Sequence, residues 1–149
     1  MGTVKTFQAI SKLKHFLEKR SRQSVEIYVP RHDLADEYID LLSGINAKVI
    51  HIRPRTGGAA GKLPVLCERA EYAKSQEEQG SGIFSKACRS RESSECEYFQ
   101  TCEYIAQFND SDLGEPISNV VRIYVHNYRG LSRKPLQQNP SIAIIDDFF

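Results

Sequence analysis

The spacing of apolar positions predicts alternating helices and strands in the first third of the chain. Residues 7–22 and 33–42 carry apolar side chains every three or four positions, which is the spacing of amphipathic helices. Residues 24–29 and 47–52 are short segments rich in β-branched side chains, as strands commonly are. Helix and strand alternate in the order expected for a parallel sheet with crossover helices.

Two further strands are predicted near the end of the sequence, at residues 119–125 and 141–145. The second of them is followed by the acidic pair Asp146 and Asp147. This pair lies at the carboxyl end of a strand, where open α/β sheets bind their ligands. We therefore expect an α/β fold in which four strands form one parallel sheet flanked by helices.

The segment between the two pairs of strands holds every cysteine of the chain. Twenty residues separate the first two cysteines, seven separate the next two, and five separate the last two. Apolar spacing predicts helices at residues 66–79 and 96–108, with a break at Gly80 and Gly82. We therefore expect a mostly helical insertion that carries Cys67, Cys88, Cys96 and Cys102.

Composition limits the environment in which the chain works. The 149 residues carry a formal net charge of +1, so no overall basic field attracts nucleic acid, although residues 5–22 are locally basic. The longest apolar runs have four or five residues, too few for a membrane span or a signal peptide. We expect a cytoplasmic protein with no membrane partner. In a reducing compartment, clustered cysteines are more often metal ligands than disulfides.

Four cysteine thiolates can complete a metal site of the kind that holds zinc or an iron–sulfur cluster. The spacings lack the paired C-x₂-C units of a zinc ribbon, which favours a 4Fe–4S cluster, with zinc as the alternative. Two other interpretations remain open. The cysteines can be free side chains of a core, because cysteine is readily buried as a small hydrophobe. They can also form a redox disulfide.

The first residues and the last acidic pair suggest a nucleotide site. In a phosphate-binding loop, backbone N–H groups surround the phosphates, a lysine adds charge, and a Ser or Thr hydroxyl holds Mg²⁺. Gly2, Lys5 and Thr6 match these roles, whereas Val4 stands where the motif has glycine. An ordinary helix start is the alternative for this segment.

The apolar strand that ends on Asp146 and Asp147 has the form of a Walker B element. In such an element the first carboxylate holds Mg²⁺ and the second polarises the attacking water. A solvated strand end is the alternative interpretation.

The order of these pieces resembles the first motor domain of the iron–sulfur helicases of superfamily 2, and most closely the primase–helicase-like proteins of phages and plasmids. The resemblance implies a RecA-like P-loop sheet that is incomplete. Residues 1–56 and 118–149 would form the NTPase-like domain and residues 57–117 the iron–sulfur insertion. It also implies ATP, Mg²⁺ and nucleic acid as ligands, with DNA favoured over RNA. The residues implied to face nucleic acid are Arg31, His32, His126 and Asn127, and the basic rim near the cysteines adds Arg89 and Arg91.

The resemblance spans nearly all of the chain but only part of such a motor. The second motor domain is missing, and Asp147 replaces the usual glutamate. We therefore expect a piece of a longer protein or a decayed copy, with little ATPase activity of its own. Two function classes follow: a partial helicase or translocase motor, and a non-catalytic four-cysteine module that binds nucleic acid or a partner protein.

Overall fold

The computed structural model describes residues 4–57, 63–78, 87–88, 95–109, 119–125 and 139–146. The chain divides into two compact units. One comprises Met1–Ile52 with Asp110–Phe149 and is called here the sheet unit; the other comprises Arg53–Asn109 and is called the cysteine unit. The assignment of these units to an NTPase-like domain and a metal-binding insertion stays a prediction.

The sheet unit is α/β, and its described strands form one four-stranded parallel sheet. Its elements are α1 (Val4–Glu18), β1 (Ser24–Val29), α2 (His32–Leu41), β2 (Lys48–His51), β3 (Val120–Val125) and β4 (Ile142–Ile145). The strand order is β2-β3-β1-β4, and every pairing is parallel. The predicted four-stranded parallel sheet is confirmed, and each strand lies within one residue of its predicted bounds.

The core of this unit forms where α1 and α2 pack on one face of the sheet. Ile10, Leu13 and Leu17 recur at helical spacing on α1 and are nearly inaccessible to solvent. Alternate residues of β1 and β3 meet them, since successive side chains of a strand point to opposite faces. Burying each such aliphatic side chain contributes about 1.5–3 kcal/mol.

Each of the two described helices of the sheet unit is followed within four residues by a residue in the left-handed conformation. α1 ends at Glu18, four residues before its predicted end, and Arg22 then adopts a φ of 58° in the turn that leads into β1. α2 ends at Leu41, and Gly44 follows with a φ of 76°. Glycine adopts this conformation without the steric cost that a Cβ atom brings.

Asn119 connects chain segments that are distant in sequence. Its buried amide Nδ2 lies 3.1 Å from the carbonyl oxygen of Leu17, 2.7 Å from that of Arg20 and 3.0 Å from that of Asn46. Its Oδ1 accepts a hydrogen bond of 2.9 Å from the backbone N–H of Gln23. One side chain therefore joins the end of α1 to the starts of β1, β2 and β3.

The described part of the cysteine unit contains two helices, α3 (Ala70–Glu78) and α4 (Glu103–Ala106). The predicted helix at residues 96–108 is wrong in extent. Cys102 caps α4 with an extended backbone (φ −71°, ψ 114°), and the residues before it form turns. Gln107 then joins the two ends of the unit, because its amide accepts from the Arg53 N–H (2.7 Å) and donates to the Arg53 carbonyl (3.1 Å).

No helix in the described part of the chain is both long enough and apolar enough to cross a membrane. The predicted cytoplasmic location stays a prediction.

Candidate functional site

All four cysteines line one cavity in the cysteine unit, called here the cysteine cavity, which Arg55 also lines. Cys67, Cys88 and Cys102 are buried, whereas Cys96 is half-buried. Cys67 lies three residues before α3, and Cys102 lies at the start of α4. Residues that lie up to 35 positions apart in sequence are therefore brought to one place.

Backbone hydrogen bonds hold the cysteines around this cavity. The carbonyl of Arg55 accepts from the N–H groups of Leu66 (3.0 Å) and Cys67 (3.2 Å). The carbonyl of Cys88 accepts from the N–H of Cys96 (2.9 Å), and the Sγ of Cys102 lies 3.9 Å from the carbonyl of Leu66. The bonds to Arg55 and Cys88 join main-chain groups, whereas the Cys102 thiol itself donates to the carbonyl of Leu66, so none of these bonds uses a sulfur atom as acceptor.

Arg55 places a buried positive charge among these thiols. Its Nη1 lies 3.8 Å from the Sγ of Cys67, and its guanidinium carbon lies 4.0 Å from the ring centre of Tyr104. Burial lowers the pKa of Arg55, but the charges of Cys88 and Tyr104 and the hydrogen bonds to Cys88 and Cys67 outweigh it and raise the pKa. Burial raises the pKa of the Cys88 thiol, and the charge of Arg55 opposes this shift.

The geometry of the thiols bears on which metal group the cavity suits. All four cysteines are free thiols. Among the described residues, no set of three or more His, Cys, Asp or Glu side chains is grouped closely enough to hold one metal ion. Zinc draws four sulfurs to within roughly 3.8 Å of one another, because each Zn–S bond is about 2.3 Å. In a 4Fe–4S cluster each thiolate binds a different iron, so the sulfurs stand farther apart. The choice of a cluster over a single zinc ion stays a prediction.

The candidate nucleotide residues lie in the sheet unit. Lys5 is exposed in the first turn of α1, Thr6 is buried beside it, and Asp146 is half-buried after β4. Gly2 and Asp147 lie outside the described residues. Of the predicted set, the structure brings Thr6 and Asp146 to a common partner, and that partner was not predicted.

The common partner is the hydroxyl of Tyr38, on α2. This hydroxyl donates a hydrogen bond to Oδ2 of Asp146 and also hydrogen-bonds the side chain of Thr6. Burial is the largest cause that raises the pKa of Tyr38 well above its ordinary value, followed by the hydrogen bond to Asp146. A Thr hydroxyl and a carboxylate are the side chains that hold Mg²⁺ in P-loop NTPases. Here a tyrosine hydroxyl lies between them.

Tyr38→Phe is expected to lower the free energy of unfolding by about 1–3 kcal/mol near neutral pH, since Asp146 loses its donor. Because the folded-state pKa of Tyr38 is raised, the stability that its hydroxyl contributes is complete below the unfolded pKa near 10 and declines as the pH rises above it. The difference between wild type and variant should therefore shrink between about pH 8 and about pH 11, as urea midpoints would measure. Tyr72→Phe, the same change at an exposed position of α3, serves as the control. A difference that stays constant with pH would contradict the assignment.

The predicted nucleic-acid residues are only partly described. Arg31 is exposed and pairs with Asp33 at 3.0 Å, and its hydrogen bond lowers the pKa of that carboxyl. Nδ1 of His32 lies 2.8 Å from Nε2 of His51, and Nδ1 of His51 lies 3.4 Å from Asp36. These groups lie at the carboxyl ends of β1 and β2. The remaining candidates lie outside the described residues and stay predictions: Arg89, Arg91, His126 and Asn127.

Sequence reasoning missed Arg55, Tyr38 and His51 as members of these sites. In sequence, Arg55 is one of two arginines shortly after β2, and Tyr38 follows the apolar spacing of α2. No local signal distinguishes them, because their partners lie 12 or more residues away: Cys67 from Arg55, Asp146 from Tyr38, and His32 from His51.

Comparison of the chain with protein-family models, with curated proteins and with solved structures finds no match in any of the three sets. The inference of function therefore rests on the residues and on their geometry.

Proposed function

We propose that the chain is part of an ATP-dependent nucleic-acid helicase or translocase motor that carries a cysteine-ligated 4Fe–4S cluster. The observation that carries the proposal is the cysteine cavity. Its four thiols converge in a separate unit that the sequence inserts between β2 and β3 of a parallel sheet. A RecA-like P-loop identity for the sheet is part of the proposal.

In this proposal Cys67, Cys88, Cys96 and Cys102 each bind one iron of the cluster. The cluster would supply a rigid crosslink between the chain segments that carry the four cysteines. The protein supplies a buried, partly apolar wall, to which Phe99 and Ile105 contribute. DNA would contact Arg31 and His32 at the carboxyl edge of the sheet, together with Arg89, Arg91, His126 and Asn127. A second motor domain, on another part of the protein or on a partner, would complete the helicase or translocase motor.

In the same proposal Lys5 and Thr6 hold the phosphates and Mg²⁺ of ATP, with Gly2 in the preceding loop. Asp146 would bind Mg²⁺, and Asp147 would orient the attacking water. The support is the shared hydrogen-bonding partner of Thr6 and Asp146, because it means that the start of α1 and the end of β4 are close together.

The second candidate function is a non-catalytic four-cysteine metal-binding module that binds nucleic acid or a partner protein. It is favoured by one observation: the carboxylate of Asp146 accepts a hydrogen bond from Tyr38. A carboxylate used in this way serves the packing of α2 against β4, and the cysteine unit would then carry the function alone.

The experiment that tests the proposal is anaerobic purification of the chain after expression with added iron, followed by iron, sulfide and zinc analysis. About four iron and four sulfide per chain, with the brown colour of a cluster, are expected. Stoichiometric zinc without sulfide would indicate that the cysteines form a structural zinc site and not an iron–sulfur cluster. A well-folded protein with no metal would indicate that the cysteines are core side chains. This result would overturn both metal-binding functions.

ATP hydrolysis by the chain as given is expected to be weak, with or without DNA. Mg²⁺ at Asp146 has to compete with the Tyr38 hydroxyl, and Val4 replaces the glycine that brings backbone N–H groups close to a phosphate. Misplacing a reacting group by about 1 Å costs on the order of a hundredfold in rate. Phosphate release should therefore match that of Lys5→Ala. DNA-stimulated hydrolysis that is lost in Lys5→Ala would contradict this expectation and would favour the motor over the module.

A further inference from the structure

Arg55 is an unusual residue to find beside a set of buried cysteines. Among the described residues of the cysteine unit, it is the only Lys, Arg, Asp or Glu whose side chain is buried, with 9% of its surface exposed. A buried charge without a partner costs several kcal/mol, so such a residue needs acceptors or an opposite charge. The groups around Arg55 are thiols and an aromatic ring, which in their neutral forms are weak acceptors.

Three contacts fix the position of this guanidinium. It lies over the ring of Tyr104, it donates from Nη1 to Cys67, and it hydrogen-bonds Cys88. Its backbone carbonyl accepts from the N–H groups of Leu66 and Cys67, so the main chain of Arg55 is also tied to a cysteine. The second terminal nitrogen, Nη2, is buried and has no hydrogen-bond acceptor among the described residues.

A metal cluster would satisfy all of these groups together. Four thiolates bring four negative charges to the cavity, and a single buried cation opposes them. Thiolate and sulfide sulfurs are far better acceptors for a guanidinium than neutral thiols are, because the hydrogen bond is then charge-assisted. The reduction potential of an iron–sulfur cluster depends on net charge and on hydrogen bonds to its sulfurs. A cation at this position favours the more negative, reduced form.

We propose that Arg55 is a positioning residue of the cluster: it donates hydrogen bonds to the sulfurs of Cys67 and Cys88 and thereby raises the reduction potential of the cluster. The inference rests on the proposed function, since it needs a cluster in the cysteine cavity. Arg55 touches the ligands and not the substrate, so it takes no part in nucleotide hydrolysis.

The test compares the full-length wild type with Arg55→Lys, Arg55→Gln and the matched control Arg53→Gln. Arg53 lies two residues earlier with a half-buried side chain, and it does not line the cysteine cavity. Each protein is purified anaerobically and analysed for iron and sulfide. Its cluster is then titrated with dithionite, which transfers one electron to the cluster, and reduction is followed by electron paramagnetic resonance. Circular dichroism reports whether each variant is folded.

In Arg55→Gln the ratio of reduced to oxidised cluster at a fixed potential is expected to fall by about tenfold or more, which corresponds to a midpoint lower by 59 mV or more. Arg55→Lys keeps the charge but loses the fork of donors, so its midpoint should lie between those of Arg55→Gln and wild type. Arg53→Gln should match wild type. If Arg55→Gln is folded but holds no cluster, partial recovery of iron in Arg55→Lys supports the same role.

Two results would overturn the inference alone. In one, wild type and Arg55→Gln hold the cluster equally well and share one midpoint. In the other, both Arg55 variants are unfolded while Arg53→Gln is folded, so that the residue serves folding rather than the cluster. A wild-type chain without iron and sulfide would instead overturn the cluster itself.

Discussion

Cys102→Ser is expected to reduce the iron content of the anaerobically purified protein by more than about a hundredfold. Removing second-shell partners of a metal site already costs about 10- to 100-fold in affinity, and Cys102 is a proposed direct ligand. A serine hydroxyl at its position stays protonated at neutral pH and binds iron poorly by comparison with a thiolate. Iron analysis and the visible absorbance of the cluster measure the loss.

The same substitution separates ligation from packing, because Cys102 is also the N-cap of α4 and makes no capping hydrogen bond. Serine is among the preferred N-cap residues and stabilises a helix start by about 1 kcal/mol relative to a residue that cannot cap. The metal-free variant should therefore melt no lower than the metal-free wild type, while the iron-loaded wild type melts well above both. Thr101→Ser, at an exposed neighbouring position, controls for the chemistry of the change. If the Cys102→Ser protein keeps its iron, Cys102 is not a ligand of the cluster.

Asn119→Asp is expected to lower the free energy of unfolding by about 3–5 kcal/mol at neutral pH. The amide Nδ2 faces the carbonyl oxygens of Leu17, Arg20 and Asn46, and the substitution places a carboxylate oxygen there. Four acceptors then meet with no donor between them. For a chain of this size the loss corresponds to a fall in Tm on the order of 10 °C. Thermal melting followed by circular dichroism measures it.

A carboxylate in this position should resist ionisation, so its folded-state pKa is expected to rise above the unfolded value. Protonation restores a donor, and the destabilisation should shrink as the pH falls towards about 4. Asn139→Asp makes the same exchange at an exposed side chain before β4 and should change stability by less than about 0.5 kcal/mol. Equal stability of Asn119→Asp and wild type would show that the carbonyls of the three segments are held together by other contacts.

The sheet could be predicted from the sequence because its signals are local. Each strand is a short run of β-branched residues with a turn or a loop at its end, and both faces of β1 are almost wholly buried. The amphipathic spacing of α1 and α2 is likewise contained within each helix. Only their ends were misplaced, since a few residues at a helix terminus carry little of the apolar pattern. All four cysteines line one cavity, which agrees with their clustering in sequence, whereas a common metal centre stays a prediction.

The remaining features depend on partners that no window of sequence contains. Residues 96–108 have apolar side chains at helical spacing, yet Phe99 and Cys102 are buried from a turn and from extended backbone. The same spacing is satisfied in either conformation. The ring of Tyr38 contributes to the apolar spacing of α2, whereas its hydroxyl donates a hydrogen bond to Asp146, more than a hundred positions later in sequence. In sequence, Arg55 is one of several cations in a loop, and only the folded structure shows that it is buried among thiols.

The position of β3 between β1 and β2 also constrains the order in which the newly made chain can acquire structure. Among the described strands, β1 pairs with β3 and β4 and β2 pairs with β3, so the described residues before position 53 contain no two neighbouring strands. At about 5–20 residues per second, the ribosome needs about 4–15 s to progress from the end of β2 to the end of β3. During that interval the edges of β1 and β2 have no partner among the strands that the structure describes. Residues 53–109 are synthesised earlier, so they are available to fold before the sheet that flanks them in sequence can close.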